Sequence, residues 1–208
     1  MITIYIKKEI HEYDIASCDI SVLTDNGFFD DKQYEYFKNL SKYNRVVKLG
    51  IMRGKDKSMG ALLKSCITKA VDNFIKVNNI EPVDIFEIVK DAVWLHRHVL
   101  HTKFGKYINF VCKNTATSLF VFNGIKFYYD SNTGVFFTRG IGKSTPKILE
   151  FIKDVMAIAE VSDKKALYHR IHKFKLAYVR SELDEEWYVN EAFDNTKFID
   201  TVVDDFIK

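Results

Sequence analysis

Proline is almost missing from this chain, with two residues in 208, Pro82 and Pro146. Because proline interrupts helix interiors and central strands, its scarcity predicts long unbroken elements and excludes a proline-rich linker. Cysteine is nearly as sparse. Cys18, Cys66 and Cys112 are odd in number and far apart, which excludes a disulfide framework and a cysteine-based zinc pattern and fits a reducing compartment. Long apolar runs are missing too. None approaches the ~18 residues of a membrane-spanning helix, so no membrane partner is expected. The stretch from Met1 to Lys8 alternates isoleucines with Thr3 and Tyr5 and then turns basic at Lys7-Lys8. A secretory signal carries its charge first and a continuous apolar stretch afterwards, so the expected location is intracellular, that is, cytoplasmic. Neither sign of charge dominates. Thirty-one basic against 28 acidic residues leave a formal +3, a surplus that accommodates nucleic acid without pointing to it.

What the chain does contain is core material. Apolar residues make up 47% and aromatic residues 14%, enough for a packed domain and too much for a disordered or collagen-like chain. Residues 2–6 alternate like a strand, a second short strand surrounds Tyr13-Asp14-Ile15, and Asp25-Asn26-Gly27 carries turn chemistry. From Asp30 to about Gly54 the pattern is helical, with Phe37, Leu40, Val47 and Ile51 expected on one face. The next helix is the most regular. Met59, Leu62, Leu63, Cys66, Ile67, Ala70, Val71, Phe74 and Ile75 follow the helical repeat and predict one deeply buried face. After Pro82, strands take over at 83–89 and 93–95, joined by a tight turn at Lys90-Asp91-Ala92. Further strands are expected at 107–112, 118–122, 125–129 and 135–138, with a turn at 130–134. Ser144-Thr145-Pro146 reads as a capped helix start, Ser162 as the cap of another helix, and 191–207 as a last helix. Strands and helices are segregated. That predicts an α+β chain, with an antiparallel sheet, helices packed on one face and a C-terminal helical segment. The expected division is 1–140 for the sheet-bearing domain and 141–208 for the helical region.

Four motifs invite a chemical reading. Gly140-Ile141-Gly142-Lys143-Ser144-Thr145 lies between a strand and a helix, as a phosphate loop does, but Phe137 stands where the first required glycine belongs. A helix start is the simpler reading. His96 and His98 would share a face on a strand, with His101 turned away, yet no third ligand stands at a natural spacing. Lys164, Lys165, His169, Arg170, His172, Lys173 and Lys175 form a basic helix face suited to a nucleic-acid backbone. Glu182, Asp184, Glu185 and Glu186 read as a solvated loop.

A pair of acids is more specific. Asp14 ends a short strand, and Asp91 lies at the tip of a hairpin. Two carboxylates presented from adjacent strands can hold divalent metal for phosphoryl transfer. This layout resembles the palm domain of family B-type DNA polymerases, over about residues 10–96. In that family motif A begins with an aspartate followed by a serine, and Asp14 and Ser17 fit. Cys18 and Asp19 replace the leucine and tyrosine expected next. Motif B expects a lysine and, further on, Asn-Ser-x-Tyr-Gly. Here Lys42 and Gly50 match, while Val46, Val47 and Leu49 do not. Motif C expects two acids flanking one residue; Asp91 matches the second, and Val89 replaces the first. Asp14 and Asp91 are only 77 positions apart, so the resemblance implies a reduced or degenerate form.

What the resemblance implies is a nucleotidyltransferase-like palm acting on nucleic acid with Mg²⁺. Asp14 and Asp91 would be metal ligands and catalytic, with Lys42 or Arg45 on the incoming triphosphate. Asp19 could partly replace the missing acid only if the chain bends to bring it round; on a strand it would face away from Asp14. The chain also looks like uncharacterised phage proteins that share such an Asp-hairpin segment. The alternative is therefore a non-catalytic phage structural or interaction protein, a virion component making protein–protein contacts with assembly partners or with further copies of itself.

Overall fold

The structure is a computed structural model, and it describes residues 3–122, 125–139, 146–161, 163–187, 189–190 and 193–194. In chain order the elements are β1 (Thr3–Ile6), β2 (Ile10–Ile15), α1 (Cys18–Asp25), α2 (Asp31–Lys38), α3 (Lys42–Lys55), α4 (Lys57–Val77), β3 (Ile85–Val89), β4 (Ala92–Leu95), β5 (Phe110–Ala116), β6 (Ser118–Phe122), β7 (Ile125–Tyr129), β8 (Phe136–Arg139), α5 (Pro146–Glu160), α6 (Lys164–Val179), β9 (Val189–Asn190) and β10 (Phe193–Asp194). The class is α+β, as the segregated pattern predicts. The strands divide into more than one sheet. One has the order β3-β4-β2-β5, another β1-β6-β7-β8, and β9 and β10 pair by themselves. Two compact units result: residues 10–115, and residues 1–9 together with 116–208. Between these units the chain divides at 115/116; β1 pairs antiparallel with β6 (Thr3 opposite Phe122) and so belongs with the later strands.

The unit of residues 10–115 is built on β2 and β4, antiparallel with His11 opposite Leu95 and Asp14 opposite Ala92. Side chains alternate across a strand, so Tyr13 and Ile15 enter the helical core with Val93 and Leu95, while Glu12 and Asp14 take the opposite face with Ala92 and Trp94. The regular helix expected over Met59–Ile75 is α4. Its Phe74 is fully buried, stacked on Phe110 at 4.1 Å and tilted against Tyr13 at 5.6 Å. The Tyr13 hydroxyl accepts a hydrogen bond from the Val99 amide at 3.0 Å, which satisfies a polar group inside the core.

Where the sequence reading expects a single helical run from Asp30 to Gly54, two helices form. Asp30 caps α2 by accepting from the Gln33 amide, and Ser41 caps α3 by accepting from the Asn44 amide. The expected face is also corrected. Phe37 is buried, but Val47 and Ile51 are exposed, and Leu49 is the buried residue of α3. Helix α1 has no counterpart in the sequence reading. Ser17, at φ 50°, turns the chain sharply out of β2, and eight residues then coil. Asp25 at its end accepts from the Tyr107 and Ile108 amides. Gly105 lies so close to that carboxylate that a Cβ there would clash with it.

The other unit has its own core. Phe120 and Phe127 meet Ile148, Phe151, Ile152 and Val155 of α5 and Ile171 and Phe174 of α6. Asp163 caps α6 by accepting from the Ala166 amide; Ser162, the expected cap, and the glycine-rich Gly140–Thr145 lie outside the described residues. The expected last helix at 191–207 is corrected at its start, where Phe193–Asp194 pairs with Val189–Asn190 as strand; the rest lies outside the described residues.

Candidate functional site

Strand pairing brings the two acids together. Asp14 sits opposite Ala92, and the two-residue turn before Ala92 is Lys90-Asp91, with Lys90 at φ 58°. The Asp91 carboxyl is thereby delivered beside Asp14 and Cys18, and all three line one cavity. Burial comes first, and then the hydrogen bond and negative charge of Asp14; together they push Asp91 up to about 6. Burial also pushes the Cys18 thiol well up, helped by the charges of Asp91, Asp19 and Asp14.

These groups lie in a cavity of about 440 Å³ that Asp19, Lys42, Arg45 and Lys113 also line. Lys42 and Arg45 come from the first turn of α3, and Lys113 from β5, where it pairs with Asp14. Asp19 lies in the first turn of α1 and not on a strand, and the bend at Ser17 brings it to the same cavity, where Arg53 of α3 pairs with it. Among the described residues Lys42 and Arg45 form no ion pair, although both line the same cavity as the acids. Lys113 was not among the residues singled out in the sequence. It stands 99 positions from Asp14, and only strand order makes them neighbours.

The donor set suits one class of metal better than another. Among the described residues no group of three or more His, Cys, Asp or Glu side chains is arranged to hold an ion, which does not fit a zinc centre. Two adjacent carboxylates fit Mg²⁺, which is commonly held through one or two carboxylates and completes its shell with water and substrate phosphates.

The family model for the bacteriophage PBS1 gene 130 protein matches residues 2–207. The chain belongs to that family. No curated protein matches the sequence. Within this phage family member, the other sequence motifs come to lie as follows. β4 ends at Leu95, so His96 and His98 do not share a strand face; His96 packs against Phe86, and His98 stands edge-on to His11 at 5.4 Å. On α6, Lys164, Lys165 and Lys173 are exposed and Lys175 is half-buried. Arg170 donates to Asp154 at 3.0 Å and lies over the Phe151 ring at 4.6 Å, so it is engaged in packing. Asp184 and Glu186 pair with Lys147 of α5. No helix among the described residues is long and apolar enough to cross a membrane.

Proposed function

We propose that the cavity binds Mg²⁺ together with a triphosphate and that this phage protein is a reduced, palm-type nucleotidyltransferase-like enzyme acting on nucleic acid. The observation that carries the reading is that Asp14 and Asp91 line one cavity together with Lys42 and Arg45. Two neighbouring carboxylates repel each other once both ionise, and a divalent cation relieves that repulsion. Bound Mg²⁺ would neutralise triphosphate charge and stabilise the charge that develops in phosphoryl transfer. The chain's own residues do the rest. Asp14 and Asp91 bind the ion, and Lys42 and Arg45 take phosphate oxygens. Lys113 balances Asp14 before ligand arrives and is placed to turn to a phosphate once the ion takes over that carboxylate. The resemblance to family B palms favours the same assignment, including the single acid at the hairpin tip.

Primer extension with Mg²⁺ or Mn²⁺ tests it. The parent should incorporate nucleotide, and Asp14→Asn and Asp91→Asn, with folding checked by circular dichroism, should each lose at least about tenfold in rate. No incorporation by the parent with either metal would favour the non-catalytic alternative, a phage structural or interaction protein in which these acids serve packing alone.

A further inference from the structure

Helix α3 combines exposed apolar side chains with charge of one sign. Tyr43, Val47 and Ile51 recur every fourth residue on one face and are 76%, 41% and 55% exposed, with Val46 beside them at 57%. The helix carries Lys42, Arg45, Lys48, Arg53 and Lys55 and no acid; Arg53 is the one committed to Asp19. Tyr36 at the end of α2 extends the surface, half-exposed, with the Lys48 ammonium over its ring at 4.8 Å. Where a Cβ would stand on Gly50 and Gly54 there is open space, so a bound chain can approach the α3 backbone closely.

We infer that this face of α3 binds single-stranded nucleic acid, with Tyr43 as a stacking platform for bases and Lys48 and Lys55 on phosphates. Charge complementarity selects a polyanion. The exposed aromatic and aliphatic groups select one whose apolar faces are open, which a single strand offers and a duplex hides. Lys42, Arg45 and Val46 belong both to α3 and to the cavity lining, so a strand on this face would lead to the proposed reaction site. The inference deepens the reading of the cavity by naming its polymer. It stands apart from it in the test, because binding is read in EDTA, where no metal-dependent transfer takes place.

The test is fluorescence anisotropy of the full chain with a labelled oligothymidylate of about 20 nucleotides, as a function of salt. The parent should bind, and affinity should fall as salt rises. Tyr43→Ala should weaken binding about tenfold, in the range of one lost base stack. Lys48→Gln with Lys55→Gln should reduce the salt slope by roughly 1.4, about 0.7 for each phosphate contact on a single strand. All these positions are exposed, so thermal melts should match the parent. Absence of binding by the parent overturns the inference. So does retained binding in the α3 variants when Lys165→Gln with Lys173→Gln abolishes it, which would move the interface to α6. Binding to phosphatidylglycerol vesicles with none to the oligonucleotide overturns it as well.

Discussion

At the scale of single residues, Asp91 concentrates the physical tension of the site. Its folded pKa lies near 6 against an ordinary 3.8, raised by burial and then by Asp14. A carboxyl raised in the folded state binds more protons there than in the unfolded chain, so its contribution to stability is full below about pH 4 and is lost as pH rises through about 6. Asp91→Asn should therefore flatten the pH dependence of the melting temperature between about pH 4 and 6. It should also stabilise the protein at pH 7, where the parent carries the ionised pair. Melts across that range check this, and an unchanged profile in the variant would place the titration elsewhere. Loss of activity together with gained stability is the pattern of a site whose groups are held against their own repulsion.

At the scale of elements, α3 and α4 show when periodicity can be trusted. The apolar residues of α4 fall on one stripe and that stripe is buried. In α3 they fall on two faces, Leu49 and Met52 toward the core and Tyr43, Val47 and Ile51 toward solvent, so a hydrophobic pattern alone chooses the wrong one. The glycines of α3 carry the element-scale prediction. Gly50 and Gly54 have helical neighbours and nothing in the space a Cβ would fill. Each Gly→Ala should add up to ~1 kcal/mol to stability by improving helix propensity. Urea denaturation measures it; a loss of stability in either variant would mean that α3 packs more closely than described. Helix α1 was illegible for another reason. It is eight residues long and begins at a left-handed serine, a turn that no propensity scale favours.

At the scale of the whole molecule the described residues form two cores, one around Phe74 and Phe110 and another around Phe127, Phe151 and Phe174. Phe74 is fully buried and touches aromatic rings on β2 and β5. Phe74→Ala should cost about 3–5 kcal/mol, and hydrogen exchange should quicken at amides within residues 10–115. A loss below ~1 kcal/mol in chemical denaturation would show that this ring is not central to its core. The split into units depends on β1, four residues that pair with β6 more than a hundred positions away. Alternation marks those residues as strand but says nothing about the partner.

By itself, the sequence determined the α+β class, the long buried helix α4, the hairpin that presents Asp91, and Asp14 and Asp91 as the pair of acids to watch. All of these are local: repeat, turn chemistry and residue type act over a few positions. The tertiary structure alone decided that the two acids line one cavity, that Asp19 and Lys113 join them, and that α3 turns an apolar face outward. Those facts depend on strand order, on the bend at Ser17 and on which face of a helix finds a core. Each joins residues tens of positions apart, through closures whose energy no local window contains.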